Sequence, residues 1–244
     1  MHTTFTDVMQ VVCGAHHSVA LFANKTVRCW GNNTYNQCDP VCETLTDVMQ
    51  VACGSGHSVA LLSNGTVHHW GHDREFALMT TDMLTDVIQV ACGSSHSVAL
   101  LANGTVRCWG DNEYAQCNPN HLMINNVKQV VCGTFHSVAL LSNGTVVCWG
   151  DNYHNQCDPM HTTLNGVIQI ACGANHSIAL MNDGTVQCWG DNSDNQCDPV
   201  YQTLSGVVQI AGGDAHSVAL LSDGVLKCWG DNKHQQCSVA HAVW

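Results

Sequence analysis

Sixteen cysteines and sixteen histidines in 244 residues are the side chains of this sequence with the most chemistry to offer. Fifteen of the cysteines fall into three registers. The first precedes a glycine: Cys13, Cys53, Cys92, Cys132 and Cys172, with Gly212 in the sixth place. The second precedes a tryptophan: Cys29, Cys108, Cys148, Cys188 and Cys228. The third follows a glutamine: Cys38, Cys117, Cys157, Cys197 and Cys237. Cys42 stands alone, which makes it the thiol available for an intermolecular bond. Where His69 replaces the second-register cysteine, the third-register cysteine is missing too, and that joint loss marks the two registers as partners. Each pair flanks a turn, so its Cα atoms can approach the ~5.5 Å of a disulfide. The expectation is five bonds: Cys29–Cys38, Cys108–Cys117, Cys148–Cys157, Cys188–Cys197 and Cys228–Cys237. Each closes a loop of about ten residues, worth roughly 2.5–3 kcal/mol by chain entropy. A reading as small buried apolar residues stays open. Zinc is the third reading, but Cys-x8-Cys lacks the short knuckle of structural zinc sites, and no metal site is expected.

The histidines expose the organisation. His-Ser-(Val/Ile)-Ala-Leu begins at His17, His57, His96, His136, His176 and His216, and a Trp-Gly pair follows each, from Trp30 to Trp229. A period of this length is the signature of a repeat architecture. Units run over 7–46, 47–85, 86–125, 126–165, 166–205 and 206–244, one domain over 1–244 with no linker. Each unit reads as an apolar run ending at Gly, a second run from the His, an Asn-Gly or Asp-Gly pair that signals a two-residue hairpin, and a third run ending at Trp-Gly. A three-stranded sheet of this size cannot bury both faces alone, whereas six arranged radially can. The fold class is therefore all-β: a closed six-bladed propeller with about three antiparallel strands per blade. Units one and six are as apolar as the rest, and Met1–Phe5 resembles 160–164, both of which favour ring closure over an open solenoid. Six histidines around an axis invite a metal, but each imidazole is expected to hydrogen-bond its own Gly-x-x-His turn. The tryptophans read as core, apart from Trp244.

Composition removes several functions. Seven Lys and Arg against 19 Asp and Glu give a formal charge of −12, which leaves no basic patch for nucleic acid. No apolar run approaches the ~18 residues of a membrane helix. No Ser-His-Asp set, phosphate loop or paired carboxylates appears, so neither an enzyme nor a cofactor is expected. Six Asn-x-Ser/Thr sequons, at Asn24, Asn32, Asn64, Asn103, Asn143 and Asn175, are explained mainly by turn chemistry. Asp111, Asp151, Asp191 and Asp231, after Trp-Gly, are expected to cap the following turn.

Cys-Gly-x-x-His-Ser-x-Ala-Leu, then Asn/Asp-Gly-Thr-Val, then Trp-Gly-x-Asn and Gln, resembles the regulator of chromosome condensation repeat across all six units. The short unit is similar to the blades of the propeller-type beta-lactamase inhibitor protein, and the cysteine content to giant-virus versions of the repeat. Most members are described as seven-bladed, against six units here. The resemblance implies a propeller and a habit of binding proteins, without one shared function. An exchange factor of this family uses an inserted β-wedge, for which no unit has room, and a photoreceptor of the family uses clustered tryptophans on a face.

Strand direction places the Gly-x-x-His turns and the Trp-to-Gln loops on one face and the uniform Asn-Gly turns on the other. The first face varies between units and carries Tyr35, Arg74, Phe76, Tyr114, Phe135, Tyr153 and His154. Aromatic residues on loops are typical interface anchors, so these are the candidate partner-binding residues, on a face expected to be acidic. The sequence therefore predicts a non-enzymatic protein-interaction propeller. The alternatives are a self-assembling subunit of a virion, fibre or coat and, more remotely, a nucleotide exchange factor for a small GTPase. Disulfides would place it in an oxidising, extracellular or virion setting, and without them a cytoplasmic one. Met1 opens a repeat directly, so the sequence displays no signal peptide.

Overall fold

A computed structural model describes residues 4–38, 44–72, 84–119, 124–158, 164–198 and 203–238. Among these lie six three-stranded antiparallel sheets, each built from consecutive strands. The first holds β1 (Val8–Cys13), β2 (His17–Phe22) and β3 (Val27–Gly31). The second holds β4 (Val48–Cys53), β5 (His57–Leu62) and β6 (Val67–Gly71). The third holds β7 (Val87–Cys92), β8 (His96–Leu101) and β9 (Val106–Gly110). The fourth holds β10 (Val127–Cys132), β11 (His136–Leu141) and β12 (Val146–Gly150). The fifth holds β13 (Val167–Cys172), β14 (His176–Met181) and β15 (Val186–Gly190). The sixth holds β16 (Val207–Gly212), β17 (His216–Leu221) and β18 (Leu226–Gly230). The chain groups into two compact units, 1–111 and 112–244. The division follows Trp109-Gly110, where the loop after β9 leaves its own sheet.

The core lies between successive sheets. Val19 and Leu21 of the first sheet pack with Val48, Val51, Ala60 and Trp70 of the second. Val59 and Leu61 repeat this against Val87, Val90, Ala99 and Trp109. In the second unit Val138 and Leu140 meet Val167, Ile170, Ala179 and Trp189. Ile178 and Leu180 meet Val207, Ile210, Ala219 and Trp229. The alternation of His-Ser-Val-Ala-Leu thus has a use on each face. The large Val and Leu point at the following sheet, and the small Ala receives the pair from the preceding one, which lets the sheets approach closely.

A bulge adapts the first strand of each sheet. In β4 the pairing skips from Val48 to Gln50, leaving Met49 unpaired and 54% exposed. In a regular strand Val48 and Val51, three residues apart, would point to opposite faces. With the bulge, both enter one core, and Gln50 turns to the next sheet. There its side-chain amide acts as a short strand of its own: Nε2 donates to the Val90 carbonyl at 3.1 Å, and Oε1 accepts the Val90 N–H at 3.0 Å. Gln10 does the same with Val51, and Gln129 with Ile170.

The Asn-Gly turns differ from the two-residue hairpins that the sequence predicts. The N–H of Gly65 donates to the Leu62 carbonyl at 3.0 Å, and the N–H of Leu62 to the Thr66 carbonyl at 2.9 Å. Gly65 has φ 79°, while Asn64 is not left-handed. This is a type I turn closed by a left-handed glycine, the three-residue hairpin. Asn64 keeps out of the left-handed region because its Oδ1 accepts both the N–H and the hydroxyl of Thr66, at 3.0 and 2.7 Å. The sequon residues Asn24, Asn103 and Asn143 bond their threonines in the same way. In the first sheet Lys25 takes the glycine's place at φ 64°.

Candidate partner-binding edge

Each Trp-to-Gln loop is fixed by its own side chains. Asn33 Oδ1 accepts the Cys38 N–H at 2.8 Å, and Asn112, Asn152, Asn192 and Asn232 hold the same place with Cys117, Cys157, Cys197 and Cys237. The buried Gln37 accepts the Tyr35 N–H at 2.8 Å, and Gln116, Gln156 and Gln196 repeat this with Tyr114, His154 and Asp194. Asp151 accepts the Tyr153 N–H at 3.1 Å and the Gln156 Nε2–H at 2.9 Å, the turn-capping role expected of it, and Asp231 does the same for Lys233 and Gln236. The glutamine carbonyl then faces the following sheet. Trp70 Nε1 donates to Gln37 at 2.9 Å, Trp149 to Gln116 at 2.8 Å, Trp189 to Gln156 at 2.9 Å and Trp229 to Gln196 at 2.9 Å. Every one of these tryptophans is buried, in line with the core reading. Trp30 departs from it: it is 42% exposed and packs on Phe5 at 5.7 Å, with Arg28 over the Phe5 ring.

In His17, His57, His136 and His176 the imidazole bonds across to the next sheet, whereas the sequence reading placed the bond within its own turn. Those turns close through the backbone, for example the Gly14 N–H to the His17 carbonyl at 2.9 Å. The imidazole lies against that glycine, and its Nε2 reaches a serine of the next sheet, the nearest buried group that can bond it. The distances are 2.8 Å for His17–Ser58, 2.9 Å for His57–Ser97, 3.0 Å for His136–Ser177 and 3.0 Å for His176–Ser217. Ser177 and Ser217 donate onward to the Gln156 and Gln196 carbonyls at 3.0 and 2.9 Å. A hydroxyl has one proton, and Ser177 and Ser217 spend theirs on the glutamine carbonyls, so His136 and His176 donate from Nε2. Burial pushes His57 down to about 3, reinforced by His69, His96, His17 and His72. It pushes His96 and His176 to about 4, partly offset by Asp111 and Asp191.

Two of the five expected disulfides are in place, Cys188–Cys197 and Cys228–Cys237, each with Cα atoms 5.0 Å apart. Cys148 and Cys157 hold the same two registers of the fourth sheet, where burial pushes both thiols up, Cys157 to about 12. We expect the Cys29–Cys38, Cys108–Cys117 and Cys148–Cys157 bonds to form on oxidation, protecting ten of the sixteen cysteines from alkylation before reduction. Peptide mapping under non-reducing conditions reads this directly, and sixteen alkylated thiols would refute it. In the first register Cys13 is exposed, whereas burial raises the thiols deeper in the chain, Cys53, Cys92 and Cys172. Cys53 and Cys92 lie 3.7 and 3.5 Å from Ser58 and Ser97, and burial lifts Cys92 to about 12. Cys42 lies outside the described residues.

The varied residues share one edge of their sheets, because each loop begins by donating a backbone N–H to the preceding turn. Examples are His72 to Gly56 at 2.8 Å and Asp151 to Phe135 at 2.8 Å. Tyr35 is 51% exposed, Tyr114 45% and Tyr153 86%. The structure brings Tyr114 to Phe135, ring centroids 5.1 Å apart, and Tyr153 to His154, also at 5.1 Å. His154 Nδ1 stands 3.9 Å from Asp191 Oδ1. Tyr35 pairs edge-on with His72 at 4.7 Å. Arg74, Phe76 and Trp244 lie outside the described residues. What the sequence reading missed is a cavity of about 440 Å³ beside Tyr35, lined also by Ala15, His16, Ser55, Gly56, His57, His72, Ser94 and Ser95. The available signal was Gly56, which stands where the other units carry His16, Ser95, Phe135, Asn175 and Ala215.

Known proteins agree with this architecture. The regulator of chromosome condensation (RCC1) repeat matches residues 8–37, 48–75, 87–116, 127–156, 167–196 and 207–236. The structure is similar to yeast RCC1 (Prp20) as crystallised with Kap60, with TM-score 0.75 and 21% identity over 92% of this chain and 70% of that one. It is similar to human WBSCR16, with TM-score 0.73 and 23% identity over 92% and 76%. The ectodomain of the Physcomitrella patens receptor kinase CR4 follows, with TM-score 0.69 and 20% identity over 92% and 61%. At these identities the likeness is one of fold. No curated protein matches the chain in sequence. Six repeat matches and six three-stranded sheets make the chain a member of the regulator of chromosome condensation repeat family, with the β-propeller fold of that family.

Proposed function

We propose that the chain is a non-enzymatic interaction propeller that binds protein through its loop edges, which carry Tyr35 in residues 1–111 and Tyr114, Phe135, Tyr153 and His154 in residues 112–244. The observation that carries this reading is the combination of exposed aromatic rings with loops clamped by Asn, Asp and Gln side chains. Tyrosine supplies broad contact area at low entropic cost, and a pre-ordered loop loses little freedom on binding. Family relatives support the habit: Prp20 is seen bound to Kap60 and has binding properties to Gsp1p and histones.

The test compares affinity capture by the wild-type chain with capture by the triple variant Tyr35→Ala, Tyr114→Ala, Tyr153→Ala. A second variant, Asn64→Asp with Asn143→Asp, changes the opposite turns. The expected result is a partner retained by the wild type and the turn variant and reduced at least tenfold with the triple variant. Equal retention by all three would overturn the reading. If the wild type captures only copies of itself and light scattering shows oligomers, self-assembly replaces partner binding.

A further inference from the structure

The cavity beside Gly56 has a filled counterpart in the same molecule. In the loop after each third strand, Tyr35 and Tyr114 occupy the same repeat position, and in the turn of the following sheet so do Gly56 and Phe135. In the second unit the Phe135 ring lies against Tyr114, centroids 5.1 Å apart and planes inclined at 39°. In the first unit Gly56 brings no side chain to Tyr35; among the described residues the ring that meets Tyr35 is His72, edge-on at 4.7 Å, and the cavity opens beside the two. We propose that this notch receives an aromatic side chain of the bound partner, seated against Tyr35 as Phe135 seats against Tyr114. The inference rests on the partner-binding reading above and names the chemistry of one contact within it.

Three observations support an aromatic occupant. The volume, about 440 Å³, falls within the roughly 300–1,000 Å³ typical of small-ligand sites. The walls are flat and aromatic on one side, with Tyr35 and His72 meeting edge to face at 4.7 Å. Aromatic pairs in such offset or edge arrangements gain ~0.5–1.5 kcal/mol beyond the area they bury. The floor is pre-formed: the Ser55 N–H donates to the Ser94 carbonyl at 2.8 Å, and the two hydroxyls are 2.8 Å apart. Nor does the backbone need glycine here. A Cβ at Gly56 would sit 3.3 Å from Tyr35 Cδ2, on a ring that can give way by a few tenths of an ångström, and 3.4 Å from His72 Cβ, the edge of ordinary contact. Gly56→Phe is therefore a designed plug, with Phe135 as its precedent.

The experiment titrates the intact chain with N-acetyl-phenylalaninamide, using N-acetyl-leucinamide as the aliphatic control, and follows the Tyr35 ring resonances by NMR. We expect saturable millimolar binding of the aromatic probe and at least fivefold weaker binding of the leucine probe. Gly56→Phe should abolish the response while keeping a native-like melting temperature. Equal response in Gly56→Phe, or no saturable response in the wild type, overturns the inference. If Phe76→Ala is required before the probe binds, this chain already supplies the occupant, and the inference again falls. Partner capture separates the two levels. If the triple tyrosine variant loses the partner but Gly56→Phe keeps it, the notch is wrong and the edge stands. If both keep it, the edge itself is wrong.

Discussion

Lowering the pH from 7 to 4 is expected to unfold this protein or bring its melting temperature close to ambient. The buried imidazoles are the cause. An unfolded histidine takes up a proton near pH 6.5, whereas the folded-state values are about 3 for His57 and about 4 for His96 and His176. The native state thus binds fewer protons than the unfolded one across this window. The associated stability is complete above pH 6.5, is lost as pH falls, and stops falling only below the folded-state values. Each of the three contributes on the order of 3 kcal/mol by pH 4. Together that rivals the ~5–15 kcal/mol of an ordinary domain. Thermal melts at half-unit pH steps test this. The decline should begin near pH 6.5, well before carboxylates of ordinary pKa, near 4, titrate. His57→Gln, which removes one titrating ring, should flatten the slope. A melting temperature that holds constant from pH 7 to 5 would refute the account.

Gly133→Ala is expected to cost about 3 kcal/mol, through overpacking that cannot relax. A Cβ there would overlap the His136 ring atoms Cε1 and Nδ1 and stand 2.7 Å from the Gly173 backbone carbonyl of the next sheet. The imidazole cannot swing away without losing the Ser177 bond at 3.0 Å. The carbonyl belongs to a turn closed by its own hydrogen bond, Gly173 N–H to His176 at 2.9 Å. For a chain of this size the loss corresponds to a fall of roughly 10 °C in melting temperature. Gly56→Ala is the control, since the nearest atoms to its Cβ stand at 3.3 and 3.4 Å and none of them is backbone. If the two variants melt together, the close packing inferred at the Gly-x-x-His turn is wrong.

Much of the fold is legible in the sequence because it recurs. The period near 40, the Asn-Gly pairs and the β-branched runs locate all eighteen strands to within a residue or two. The cysteine registers point to a bond that two pairs display. What escapes is everything made between repeats. His17 looks, within its own unit, like a ligand for its own turn; its partner is Ser58, 41 residues on. Gln37 looks like a spacer before Cys38, yet its carbonyl holds Trp70, 33 residues away. A single unit does not contain those partners, so inspection of one unit cannot reveal them. The bulge at Met49 is hidden for another reason: Val48 and Val51 are three apart, a spacing that a regular strand would send to opposite faces. The notch at Gly56 is an absence, visible only once its neighbours have positions.

The carbonyl of the loop glutamine, held by the next tryptophan, bears on how such a chain can change over time. Every joint of this kind is assembled from the same pieces, half supplied by one copy and half by its successor. A tandem duplication or loss of about 120 nucleotides in frame therefore brings together two halves that already fit, wherever within the unit the break falls. New joints need no invention, so copy number can drift while the residues between Trp-Gly and Gln, which the joint does not read, diverge independently. A chimera in which one unit is replaced by another from the same chain should then fold, and would move a set of loop residues to a new address.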